Sequence, residues 1–253
     1  MFKEDVLEAG HSAMKKVKFI NSNPLGYFLA SMLAGIYVGL GIMFIFTIGG
    51  MIHDSHAYKV VMGASFGIAL SLVSIAGAEL FTGNTFTMTI GTLLKEVTLA
   101  DTIKVWVMCY LGNLAGSVLL GFLFFLTGAV DSGYVAEFFI ESAEAKMTLP
   151  PINLFARALL CNILVCLATW CGYRCKSESG KLIMTFWCLY AFITSGYEHS
   201  VANMSLFTVA LLSPLGGDLT LGMFAYNLTL ATLGNMVGGI LFLAVPYYFI
   251  SKE

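Results

Sequence analysis

Of the chain's 253 residues, 58% are hydrophobic and only 11% are charged, with a net charge of −2 and a mean hydropathy of +0.85. Soluble domains carry roughly a quarter charged residues, so this composition excludes a water-soluble globular protein, and the near-neutral balance gives no basis for nucleic-acid binding. Apolar runs long enough to cross about 30 Å of hydrocarbon recur along the chain. They predict an all-α polytopic membrane protein, one membrane domain over residues 1–253.

Taken in chain order, residues 1–23 are polar and lack the apolar core and cleavage site of a secretory signal. Val6, Leu7, Met14, Val17 and Phe19 are spaced among charges there. This predicts an amphipathic helix along the inner membrane surface, with a solvated lead-in as the alternative. Six spans follow, at about 27–48, 60–91, 103–129, 154–173, 182–212 and 222–250, the first preceded by Pro24. All six are read as helices, since in lipid only helices or closed barrels satisfy the backbone, and the alternation of barrel strands is absent. Of the 13 Lys and Arg, only Lys59, Lys146 and Arg157 fall on the outer side if the N-terminus is inside, leaving 13 − 3 = 10 within. That bias predicts cytoplasmic termini. The outer loop 130–153 is acidic, with Asp131, Glu137, Glu141 and Glu144.

Spans 2 and 5 are too long for a simple crossing, and each holds a polar interruption. "AELFTGNTF" (78–86) and "YEHSVANMS" (197–205) both read Glu, four residues, Asn: Glu79 with Asn84, and Glu198 with Asn203, offset by 119. "LGNLAGSVLL" (111–120) matches "LGNMVGGILF" (233–242) at an offset of 122. "FLASMLAGIYVGL" (28–40) aligns loosely with "FARALLCNILVCL" (155–167) at 127. The chain therefore reads as two repeats, 24–129 and 154–250. Each holds three spans, an odd number, so the second enters the membrane inverted. The two breaks then meet near mid-membrane. There the N-termini of two half-helices present unpaired N–H groups and about half a positive charge each. Such a place suits an anion, or a polar solute that accepts hydrogen bonds.

Within the breaks, His199 is an ionisable group at membrane depth and hence a candidate for function. Glu79 and Glu198 are expected to cap the half-helices by accepting their N–H groups, with proton carriage as the alternative. Asn84 and Asn203 are expected to satisfy loop backbone. Thr82 offers a hydroxyl, while Leu80, Phe81, Phe192 and Val201 offer apolar rims that can narrow a pore or simply pack. Asn162, deep in span 4, can orient His199 or join helices. Lys146, alone among outer acids, is either a solvated ion pair or an anion attractor at a mouth.

The six cysteines read as free thiols: Cys161, Cys166 and Cys171 step by five and spread over different helix faces. "HDSH" (53–56) has no third ligand, so no metal and no cofactor is expected. There is no phosphate-binding loop, no dinucleotide fingerprint and no HExxH, and no nucleophile sits with a base, so an enzyme is not expected.

"GAELFTGNTFTM", "SGYEHSVANMSLF" and the repeated "LGN" resemble the formate/nitrite transporter family, from about residue 10 to the C-terminus. The nitrite and hydrosulfide branches are closer than the formate branch; "LFTGN" does not separate these two, and the resemblance is read as that of a bacterial hydrosulfide channel. The resemblance implies a homo-pentamer of aquaporin-like protomers in a bacterial inner membrane. Each protomer would hold its own pore for small monovalent anions of weak acids: hydrosulfide, then nitrite and formate. It assigns the central histidine to His199, the first-break threonine to Thr82, the span-4 asparagine to Asn162, the vestibule lysine to Lys146 and the inner constriction to Leu80. The rival readings are a proton-coupled secondary anion transporter and a water or small neutral-solute pore.

Overall fold

The computed structural model describes residues 2–252, and helices follow one another along that length. Lys3–Ser22 (α1) leads into Pro24–Met51 (α2), where Pro24 opens the helix and the Asn23 side chain accepts from Gly26 N–H at 2.9 Å. Tyr58–Gly77 (α3) ends in a π-helical turn, and after a short break Phe81–Leu93 (α4) begins. A Thr98–Asp101 capping box starts Leu99–Phe125 (α5). Gly133–Met147 (α6) occupies the stretch read from sequence as an outer loop, and Pro151–Arg174 (α7) follows it. Glu178–Thr194 (α8), Ser200–Leu212 (α9) and Leu221–Ile250 (α10) complete the chain. Five of these helices are long and apolar enough to cross a membrane: α2, α3, α5, α7 and α10. The expected second and fifth spans are each divided, as α3 with α4 and as α8 with α9.

The halves match element for element, α1 to α5 against α6 to α10, with an amphipathic lead-in helix before each first span. In each half the first and last long helices cross closely. A Cβ on Gly116 of α5 would strike the Met32 carbonyl of α2, and one on Gly238 of α10 would strike the Leu159 carbonyl of α7. Only glycine permits these crossings, the small-residue packing by which membrane helices approach. α3 and α8 pack antiparallel, Gly63 against Tyr190 and Gly67 against Phe186.

The half-helices α4 and α9 are the most enclosed elements. Every residue of α9 from Ser200 to Ala210 is buried, and most of α4 is as well. That accounts for their weak amphipathicity, because a helix surrounded by other helices has no polar face to show. The longer helices turn Leu111, Leu119, Phe122, Ile183 and Trp187 outward, as a lipid-facing surface requires. All six cysteines are free.

Candidate functional site

Each break is made by a glycine two residues before the glutamate. Gly77 (φ +83°) and Gly196 (φ +68°) adopt the left-handed conformation that ends a helix, and extended residues then carry the chain back toward the centre. Glu79 N–H donates to the Ala30 carbonyl at 3.1 Å, and Glu198 N–H to the Arg157 carbonyl at 3.4 Å.

The glutamates do not cap the half-helices, contrary to the sequence expectation. The first N–H of α4, on Phe81, donates to Asn113 Oδ1 at 2.9 Å, and that of α9, on Ser200, donates to Asn235 Oδ1 at 2.9 Å. These are the asparagines of the two "LGN" motifs. Each also donates twice through Nδ2: Asn113 to the Ser31 and Glu79 carbonyls at 2.8 Å, and Asn235 to the Ala158 and Glu198 carbonyls at 2.7 and 3.0 Å. One amide thus ties the first span, the break and the half-helix together, because a buried break must satisfy its backbone from a distant element when no water can reach it.

The glutamate side chains are paired instead. Lys16 Nζ, on α1, lies 2.7 Å from both Glu79 oxygens, and Tyr27 hydroxyl and Asn84 Nδ2 donate to the same carboxylate at 3.1 and 3.0 Å. Burial opposes charge on Lys16, but the adjacent carboxylate outweighs it and holds the ammonium's pKa above its ordinary value. In the second half, Lys146 Nζ lies 2.6 Å from Glu198 Oε1, and Asn203 Nδ2 donates to Glu198 Oε2 at 2.7 Å. Asn84 and Asn203 therefore serve carboxylates rather than loop backbone. Lys146 is half-buried rather than a surface lysine: it is 22% exposed and reaches in to a Glu198 that is 1% exposed.

Between these two chains stands the contact joining the halves. His199 N-caps α9, its Nδ1 accepting from Ala202 N–H at 3.0 Å, and its Nε2 lies 3.0 Å from Thr82 Oγ1 in the first turn of α4. With Nδ1 accepting, the neutral ring carries its proton on Nε2 and donates to the threonine oxygen. The Thr82 hydroxyl hydrogen is left for another acceptor. Phe192 stacks on the imidazole, centroids 5.8 Å apart at 17°.

Asn162 does not reach His199. Its Nδ2 donates to the Asn235 carbonyl at 2.6 Å, to Thr85 Oγ1 at 3.0 Å and to the Thr82 carbonyl at 3.3 Å, joining α7, α10 and α4, while its buried Oδ1 has no partner among the described residues. Of the four apolar candidates, Leu80 and Phe192 line a waist with Val38, Leu70 and His199, whose cavity of about 10 Å³ has room for roughly one water. Phe81 instead packs edge-on against Tyr110 at 5.0 Å, and Val201 is fully buried among the helices. Neither borders the waist or the vestibules.

Two vestibules open on either side of the waist. One, of about 210 Å³, holds Lys146, Glu198, Phe192 and His199; the other, of about 500 Å³, holds Lys16, Glu79, Leu80 and Tyr173. Lys16, Tyr27, Asn113 and Asn235 escaped the sequence reading. The repeated "LGN" was the signal for the last two, used only to align the halves. Lys16 entered only as a topological charge, because nothing local shows that α1 folds back beneath a break 63 residues on.

Two half-helices meeting nose to nose, with vestibules lined by charged residues on either side of an apolar waist, define a membrane transport protein built as an inverted repeat. The formate/nitrite transporter family model matches residues 3–249, and the chain belongs to that family. The nitrite transporter NirC of Salmonella typhimurium is 40% identical over 257 residues, covering 100% of this chain and 93% of its own, and NirC of Escherichia coli is 40% identical with 94% of its length covered. Among solved structures, an FNT family ion channel superposes with a TM-score of 0.94 at 39% identity, covering 98% of this chain and 99% of that one. A pentameric formate channel with formate bound gives 0.79 at 29% identity, over 90% and 97%.

Proposed function

We propose that each protomer is a passive channel for small monovalent anions of weak acids: hydrosulfide, nitrite and formate. The observation that carries this is the Thr82–His199 contact, in which His199 lines the apolar waist and Thr82 stands behind it, flanked on each side by a lysine–glutamate–asparagine chain. Lysines at the vestibules raise the local anion concentration. The waist, lined by Leu80, Phe192 and their neighbours, strips water from the ion, and Thr82 with His199 supplies the replacement hydrogen bonds. No acceptor among the described residues takes the N–H groups of Thr82 and Gly83, so the α4 N-terminus adds donors aimed at the same place.

Nitrite draws support from the NirC relatives. Hydrosulfide draws it from the waist, which favours a solute with one heavy atom. The reading extends to a homo-pentamer, by analogy with the pentameric formate channel. It also extends to a bacterial inner membrane with both termini cytoplasmic, so that the Lys16 vestibule faces inward. Flux of hydrosulfide, nitrite, formate, chloride and a neutral solute into proteoliposomes tests it. Weak-acid anions are expected to pass down their gradients and the neutral solute to be excluded. Accumulation of an anion against its gradient on a pH jump would replace the channel with a proton-coupled transporter. Passage of the neutral solute alone would make it a neutral-solute pore.

A further inference from the structure

The two vestibules differ in charge. The lining of the smaller one includes Lys59, Lys146 and Arg157, the same three basic residues that the charge pattern assigns to the outer side, and one acid, Glu198. Glu198 is committed to Lys146 at 2.6 Å. Lys59 and Arg157 make no ion pair among the described residues. Six other acids belong to that side: Asp54, Asp131, Glu137, Glu141, Glu144 and Asp218. All are exposed, and none lines the cavity. The larger vestibule is balanced, Lys16 and Lys181 against Glu8 and Glu79.

The backbone of both exposed cationic residues is tied to the break. The Arg157 carbonyl receives Glu198 N–H, and the Lys59 carbonyl receives Thr194 Oγ1 at 3.5 Å, at the end of α8. Lys59 Nζ also stands 5.8 Å from the centroid of the Tyr58 ring, itself part of the cavity wall. Positive charge on that side is thus gathered at one mouth and negative charge is kept off it, the arrangement that focuses a field into a cleft.

We propose that Lys59 and Arg157 are specificity-determining residues that make anion capture one-sided. On the reading that the pore passes anions, they set the half-saturation concentration at the Lys146 mouth and leave the Lys16 mouth unaffected. A passive pore must have equal permeability in both directions at zero voltage. Deepening the anion well at one mouth therefore changes the half-saturation concentration and the maximal rate on that side together. The informative quantity is the ratio of half-saturation concentrations at the two mouths. For two unit charges acting over a separation of about 8 Å in water-like surroundings, Coulomb's law gives roughly a fivefold change in that ratio at low salt, and screening at 1 M removes most of it.

The test is nitrite and formate flux in vesicles of known orientation, driven from each side in turn, for wild type, Lys59→Gln/Arg157→Gln and Lys59→Arg/Arg157→Lys. The neutralised variant is expected to raise the half-saturation at the Lys146 mouth about fivefold at low salt, with no change at the Lys16 mouth. The charge-conserving variant is expected to match wild type, which a merely structural role for these side chains would not predict. An unchanged ratio, or an equal change from both sides, overturns the proposal while leaving the channel reading intact. Wild-type vesicles that pass no anion remove both.

Discussion

Glu198 is 1% exposed and Lys146 22% exposed, 2.6 Å apart, so loss of the lysine strands a buried carboxylate. Removing one member of a buried pair typically costs about 3–5 kcal/mol, whereas replacing both is far milder. Lys146→Met is therefore expected to lower the melting temperature of the detergent-solubilised protein sharply, and Lys146→Met/Glu198→Gln to recover most of the loss. A thermal-shift measurement on the two variants checks this, and a double variant as unstable as the single one would contradict it. His199 and Thr82 were legible from the sequence because an imidazole and a hydroxyl stand out in an apolar stretch. The role of the glutamates was not, because helix-capping rules look only a few residues away. The acceptors for the first N–H of α4 and of α9 come from Asn113 and Asn235, 32 and 35 residues downstream, and only the fold brings them there.

Among the elements, the glycines separate two kinds of constraint. A Cβ at Gly196 meets nothing within 4 Å, but the residue sits at φ +68°, where an L side chain costs roughly 1–2 kcal/mol. A Cβ at Gly238 meets the Leu159 backbone carbonyl, which cannot yield without moving α7. Gly196→Ala is expected to fold with a modest loss of melting temperature. Gly238→Ala is expected to yield little monodisperse protein, as size-exclusion chromatography would report. The divided spans, their order and the repeat were readable because the hydropathy pattern and the matched motifs are local. The equivalence of α1 and α6 was hidden. Each buries a face at helical spacing, Val6, Ala9 and Ala13 in α1 and Ala136, Phe139 and Ala143 in α6, but no matched motif links the two sequences, and the acids of α6 read as loop.

For the whole molecule, the two inverted halves contribute different chemistry to one place. The first supplies Thr82 and Leu80 from the start of α4, and the second supplies His199 and Phe192 from the approach to α9. Composition and repeat made the architecture plain, but which vestibule carries the unpaired cations depends on side chains from α3 and α7 that no motif links. A pore shared by the two halves requires the contact between them. The most direct measurement is anion flux into proteoliposomes for wild type and His199→Asn across a pH series. Asparagine can still cap α9 but lacks the ring N–H that reaches Thr82, so the account predicts correctly folded protein with reduced flux across the pH series. Flux and pH profile indistinguishable from wild type would contradict a pore through the Thr82–His199 contact.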